Sequence, residues 1–310
     1  MISDLFTVTV LIGIISSGIR LATPYLYASI GETFGQRSGV LNLGVEGQML
    51  LGAFAAFYVA RTTGNLWLGV LAAMFVGAIM GLAMAFVTVS LHAQQGISGI
   101  GFFIFGLGMS DLLFQKLLGT VETVQGFPKV HISGLSDIPG IGEIFFNHNL
   151  LVYGAYLLVP LAWFVLNKTN LGLKIWAVGE NPDAADSLGV SVARVRYFTI
   201  ILGGTLSGIA GASLSIALLN VFQQNMTSGI GFIAVALVYF GGWSPWGVLG
   251  GALLFSMVNS LQLWIQVLGI PIPSEIAVMM PYVLTILVLV VTVSRVRAPS
   301  ALTKPFERDT

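Results

Sequence analysis

The sequence predicts an all-α membrane protein, a polytopic bundle of about nine (eight to ten) transmembrane helices with one short helix standing in water on the cytoplasmic side. Three observations carry this. Of 310 residues, 56% are hydrophobic and only 8% charged, against roughly 25% charged in soluble domains. The mean hydropathy is +0.91, and runs of about 20 apolar residues, the length a bilayer crossing needs, recur from end to end. Between these runs lies one polar island, Lys174-Ile-Trp-Ala-Val-Gly-Glu-Asn-Pro-Asp-Ala-Ala-Asp-Ser-Leu-Gly-Val-Ser-Val-Ala-Arg-Val-Arg196.

The apolar runs cover about 6–30, 43–60, 66–91, 98–118, 149–166, 197–220, 229–241, 247–268 and 275–294. The run 229–241 is short for a full crossing, and Arg20 interrupts the first. No Lys or Arg precedes Arg20, so the basic start of a cleavable signal peptide is missing and the first run is expected to stay in the mature chain. The 38 glycines suit helices that associate through close backbone approach. The loop 119–148, rich in Gly and Pro, is expected to hold a short helix or hairpin over the bundle. No linker divides the chain, so one transmembrane domain spans 1–310, with a cytoplasmic loop at about 167–196 and a tail at 295–310. Net charge is zero and cysteine is absent, which removes disulfide and thiolate chemistry and gives no hint of a nucleic-acid partner.

Basic residues set the expected orientation. Lys168, Lys174, Arg194 and Arg196 flank or lie in the island, and Arg295, Arg297, Lys304 and Arg308 lie in the tail. Four spans separate the two groups, so both fall on one side, which the rule makes cytoplasmic. Arg37 then lies inside as well, and Arg61, Lys116 and Lys129 lie on or near the outside with loop 119–148 and the N-terminus.

The island carries local helix signals. Asn181 suits an N-cap, Pro182 the first turn, and Asp183 the positive end of the helix dipole. Ala184, Ala185, Asp186, Ser187 and Leu188 continue the helix, and Gly189 suits a left-handed stop. About two turns, roughly 10 Å, result. Such a helix is too short to stand alone, so it rests on a surface: either the membrane face as an ordinary loop helix, or a soluble partner.

Charges at membrane depth cost about 2.5–3.5 kcal/mol each and mark interior sites. Arg20, Glu46 and Asp111 are the candidates. Glu46 lies in Asn42-Leu-Gly-Val-Glu-Gly-Gln48, where two glycines invite a break that would expose backbone groups to polar cargo. Arg20 and Glu46 are alternatively a structural pair. Phe102, Phe103 and Phe105, in a Gly-rich segment before Asp111, are candidates to stack on a planar base or sugar face, or are plain lipid-facing or core residues. Gln223, Gln224 and Asn225 lie at an outer end, where they either meet a soluble partner or are simply a solvated turn. His92, His131 and His148 all fall in loops without ligand spacing, so zinc and Ser-His chemistry lack support.

Larger motifs add a resemblance. The segment from Gly172-Leu-Lys174 through Ala177-Val-Gly-Glu-Asn-Pro-Asp-Ala-Ala185 to Ser207-Gly-Ile-Ala-Gly-Ala212 resembles the cytoplasmic coupling loop of permeases from ATP-binding cassette importers. Those permeases carry ribose-type sugars, autoinducer-2, branched-chain amino acids and nucleosides. Arg37-Ser-Gly-Val-Leu-Asn-Leu-Gly-Val-Glu-Gly-Gln-Met-Leu-Leu-Gly-Ala53 is similar to the nucleoside, basic-membrane-lipoprotein-linked branch. Gly231-Phe-Ile-Ala-Val-Ala-Leu237 with Gly241-Gly-Trp-Ser-Pro-Trp-Gly-Val-Leu-Gly-Gly-Ala252 is similar to the late helix pair, though Trp243 and Trp246 make the turn more aromatic than usual. The resemblance covers most of 20–295. It implies a permease subunit, not an enzyme, in the cytoplasmic (inner) membrane of a bacterium or archaeon. It further implies an ATP-binding subunit carrying ATP and Mg, a second permease subunit, identical or different, and an extracytoplasmic substrate-binding protein. Residues 179–189, from Gly179 and Glu180 to Gly189, would contact the ATPase. Arg20, Asn42, Glu46, Gln48, Phe102, Phe103, Phe105 and Asp111 would line the pathway of a nucleoside or simple sugar. No Gly-x-x-x-x-Gly-Lys-[Ser/Thr] phosphate loop occurs. An autonomous ion-gradient transporter or channel, using Arg20, Glu46 and Asp111 as a relay, is the competing function, and a membrane scaffold a third.

Overall fold

The computed structural model describes residues 7–270, 273–292 and 297–307. Its helices are α1 (Val8–Arg37), α2 (Val45–Thr63), α3 (Leu66–Ala85), α4 (Gln95–Leu117), α5 (Ile141–Phe145), α6 (Leu150–Lys168), α7 (Asn170–Glu180), α8 (Pro182–Ser187), α9 (Val192–Ser213), α10 (Ile230–Phe240), α11 (Pro245–Val267) and α12 (Ser274–Thr292). A π-helical turn extends α3 through Phe86–Ser90 and another extends α9 through Leu214–Leu218. Among the described residues there is no strand, only isolated bridges at Thr123–Val221 and Lys129–Asn149.

Among the described residues, six helices are long and apolar enough to cross a bilayer: Val8–Arg37, Leu66–Ser90, Gln95–Leu117, Leu150–Lys168, Val192–Leu218 and Pro245–Val267. This supports the membrane class but not the expected count of about nine. The run 229–241 yields α10, a helix of 11 residues, about 16 Å long and so half of a roughly 30 Å hydrocarbon core. Polar and small residues at the start of α2 lower its hydropathy, because that turn faces protein rather than lipid. The first helix also runs past the expected 30 to Arg37, with Glu32, Thr33, Gln36 and Arg37 all buried.

α9 runs through the centre, packed against α1, α2 and α3. Small residues make this packing close. A Cβ added to Gly52 of α2 would lie 2.7 Å from Cα of Gly208, and one on Gly81 of α3 would lie 2.8 Å from the carbonyl of Ile200. Lipid offers no hydrophobic drive between helices, so dispersion at this range does the holding. α4 packs mainly on α2 and is otherwise open. Loop 119–148 contains the five-residue α5 and is tied down by hydrogen bonds such as Phe127 N–H to the Ile216 carbonyl, 3.1 Å.

Candidate functional site

The polar island contains two helices, not one. α7 is amphipathic and buries Gly172, Ile175, Val178 and Gly179. The chain then breaks at Asn181, whose backbone is extended (φ −148°) and whose side chain accepts from Ala184 N–H at 3.1 Å. Pro182 occupies the first turn of α8, where its missing N–H costs nothing. The end is a Schellman pair: Val190 N–H reaches the Ala185 carbonyl at 3.0 Å and Gly189 N–H the Asp186 carbonyl at 2.8 Å. Gly189 takes φ +82° to permit it.

The residues of α8 divide by face. Asp183, Ala184, Ser187 and Leu188 are exposed, Leu188 at 84%, while Ala185 is buried in the main apolar core. Ala184 and Ala185, both expected above to contact the ATPase, therefore face opposite ways, and Ala185 is not on the exposed face. Helical rotation turns Ala185 back toward α7 and α9, into the core. Gly179 also faces inward, packed on the backbone of Arg37.

The C-terminal tail, expected on the same side as the island, lies across this face. Ala301 N–H donates to the Gly179 carbonyl at 2.9 Å, and Thr303 N–H to the Gly39 carbonyl at 3.1 Å. Ser300 Oγ donates to Glu180 Oε2 at 3.0 Å, and Arg196 Nη1 to the Lys304 carbonyl at 3.1 Å. His92 Nε2 lies 3.1 Å from the Phe306 carbonyl. Arg295 and Arg308, counted above for orientation, lie outside the described residues.

A buried polar chain leads inward from α7. The Arg37 guanidinium sits 3.6 Å over the Trp176 ring, and its Nε donates to the Trp243 carbonyl at 3.0 Å. Trp243 Nε1 donates to Gln36 Oε1 at 2.8 Å, and Gln36 Nε2 to Glu32 Oε1 at 3.2 Å. The same Glu32 oxygen accepts Asn42 N–H at 2.9 Å, and Asn42 Nδ2 donates to Gln48 Oε1 at 3.2 Å. Glu32, Gln36 and Trp176 were missed from sequence, and Arg196 was read only for orientation. The one available signal was a Glu-Gln pair at i, i+4 near the end of an apolar run.

The candidate pathway residues do not form one group. Asn42, Glu46 and Gln48 are buried together at the start of α2, and Phe102 and Phe103 of α4 back onto it: a Cβ on Gly47 would lie 2.9 Å from Phe103 Cα. Phe103 meets Phe232 of α10 edge-on at 5.1 Å. Phe105 is half exposed on the outer face of α4. Asp111 lies nine residues beyond Phe102 along α4, about 13 Å away, with Oδ2 accepting from Gln115 at 3.3 Å and Oδ1 buried without a partner. Arg20 is exposed.

The alternative pairing of Arg20 with Glu46 is overturned. Both Glu46 oxygens are taken: Oε1 accepts Thr227 Oγ1 at 2.6 Å and Gly229 N–H at 2.7 Å, and Oε2 accepts Gly231 N–H at 2.6 Å. Arg20 instead borders loop 119–148, near enough to His148 to disfavour its charged form. Gln223, Gln224 and Asn225 are exposed, leading into the descent to Gly229.

The structure is a glycine-packed bundle of apolar helices with a short capped helix exposed on one side. The chain matches the family described as branched-chain amino acid transport system / permease component over residues 14–289, and belongs to it. It is a permease component, not an enzyme. It is 38% identical to the putative glucose ABC transporter permease protein TsgC13 of Haloferax volcanii, over 96% of this chain and 98% of that one. It is 36% identical to the guanosine ABC transporter permease protein NupQ of Bacillus subtilis, over 94% and 96%. It is also 36% identical to the nucleoside ABC transporter permease protein NupC of Lactococcus lactis, over 93% and 94%. No solved structure matches the chain.

Proposed function

We propose that this chain is the permease subunit of an ATP-driven importer in a bacterial or archaeal cytoplasmic membrane, moving an uncharged polar solute, a nucleoside or a simple sugar. The single observation that carries the coupling mechanism is α8, capped at both ends and exposed on Asp183, Ala184, Ser187 and Leu188. That face docks on an ATP-binding subunit, which holds ATP and Mg. Closure of the ATPase pair displaces α8 with α7, and the buried chain from Trp176 through Arg37, Trp243, Gln36 and Glu32 carries the displacement to Asn42 at the start of α2. A contiguous network of this kind suits a discrete two-state change. The nine helical segments other than α5, α7 and α8 are taken as the membrane-inserted set, α10 as a half-helix. α7, α8 and the tail lie in the cytoplasm, and an extracytoplasmic binding protein delivers cargo to the opposite face.

The second permease subunit is a different chain. In Bacillus subtilis, NupQ and NupP are both named guanosine permeases, and this chain is 36% identical to the first and 27% to the second. The nucleoside reading is favoured over the sugar reading because two nucleoside permeases of this similarity stand beside one sugar permease. Reconstitution with the ATPase and binding protein in liposomes tests the proposal, by uptake of tritiated nucleosides and sugars. ATP-dependent uptake supports it. Uptake on an ion gradient alone, without the ATPase, would replace it with the secondary-transporter reading.

A further inference from the structure

α10 is a helix that starts part-way through the bundle. Its far end runs into the turn 241–244, whose Gly242 and Trp243 carbonyls accept from Arg37 at the end of α1. Its 11 residues rise about 16 Å from there, which puts Gly229 and Gly231 near mid-depth of a roughly 30 Å core. The residues leading into it cannot continue a helix: Asn220, Asn225, Ser228 and Gly229 have φ of 58°, 52°, 43° and 90°. A helix beginning at this depth presents unpaired N–H groups and a positive dipole end, the usual receptor for an anionic group of a substrate.

Here that receptor is filled from within. Glu46 places one oxygen on Gly229 N–H and the Thr227 hydroxyl and the other on Gly231 N–H. Glu46 also lies in the first turn of α2, so two helix N-termini converge on one carboxylate. Its partners are two backbone N–H donors and one hydroxyl, a set that suits a carboxylate. The fit is tight, since a Cβ on Gly231 would lie 2.6 Å from Glu46 Cα and 2.8 Å from Oε2. The side chain is 1% exposed.

We infer that Glu46 is a positioning and specificity residue: it is the resident anion of the mid-membrane helix end, holding α10 against α2 and closing that end to anionic solutes. The pathway beside it is left to uncharged polar cargo. This rests on the permease reading above, but it makes a claim about anion binding that can be tested without cargo or ATPase, so the two can fail separately.

The test is thermal unfolding of the purified permease, wild type and Glu46→Ala, titrated with sodium formate or with acetamide as a neutral control of similar size. Removing the carboxylate leaves three buried donors unpaired. Formate can restore both oxygens, whereas acetamide would point an NH2 group at a donor. The expected result is a lower Tm for Glu46→Ala and a saturable rise of at least about 2 °C with formate, absent with acetamide and absent in wild type. An equal formate response in wild type would overturn the inference, as would a folded Glu46→Ala that does not respond. Should Glu46→Ala not accumulate, Glu46→Asp and Glu46→Gln decide. The carboxylate of Asp, one methylene short, must give a higher Tm than Gln, and a Gln variant as stable as wild type would overturn the inference.

Discussion

Ala301, in the C-terminal tail, donates its backbone N–H to the carbonyl of Gly179, one residue before the end of α7, at 2.9 Å. This bond, with Thr303 N–H on Gly39, makes the tail a strap joining the base of α8 to the α1–α2 turn. Replacing Ala301 and Thr303 with proline removes both donors, each worth about 1 kcal/mol, and also denies position 303 its left-handed φ of +67°. The double variant should insert and fold, but its tail should be cut faster by added protease. ATP turnover of the reconstituted complex should persist with uptake reduced several-fold. Unchanged protease sensitivity and uptake would show that the strap does not hold.

Ala184 and Ala185 are adjacent in sequence and opposite in environment. Ala184→Glu places a charge on the exposed face, so the permease should accumulate normally and lose co-purification with the ATPase. Ala185→Glu buries a carboxylate in the core, a change costing several kcal/mol, and should lower the yield of folded permease itself. Equal behaviour of the two would contradict the facing of α8.

Gly189 has nothing within 4 Å of an added Cβ, so its φ of +82° is the whole constraint. Gly189→Val should fray α8 at a cost of at least about 1 kcal/mol, and Gly189→Asn, which tolerates the left-handed region, at less. Uptake should fall in that order while the Tm of the bundle stays near wild type. Uptake at wild-type rate in Gly189→Val would remove α8 from the coupling path.

With no native cysteine, single-cysteine labelling is direct. Ser187 on α8 and Ser133 in loop 119–148 are both exposed. A membrane-impermeant maleimide should reach Ser133→Cys in intact cells and Ser187→Cys only after permeabilisation. Labelling of both from one side would invalidate the orientation drawn from the basic residues.

His148, at the end of loop 119–148, is buried, and burial lowers its pKa, as do Arg20 and Lys129, against the opposing bond to the Ile144 carbonyl at 2.7 Å. The unfolded chain therefore binds a proton that the folded one does not. Stability from this residue is present above the unfolded pKa of about 6.5 and is lost as pH falls below it. Tm measured at pH 7.5 and 5.5 should fall less in His148→Gln than in wild type. An equal fall would assign the acid sensitivity elsewhere.

What was legible in the sequence was what depends on near neighbours and on composition. The membrane class follows from solvent transfer alone. The caps of α8 follow from contacts three to five residues apart, so Asn181, Pro182 and Gly189 announced a helix before any tertiary information. Tertiary structure decided the rest. Six residues of α8 are too few to display a hydrophobic stripe, so only packing on α7 and α9 turned Ala185 inward. Glu46 and Thr227 are 181 positions apart, and a charge in an apolar run says that a partner exists, not which one. Arg20 was the basic residue that the sequence placed inside an apolar run, yet backbone N–H groups at the start of α10 satisfied the carboxylate. Every backbone amide is a potential partner, and only the fold determines which of them are left free to donate.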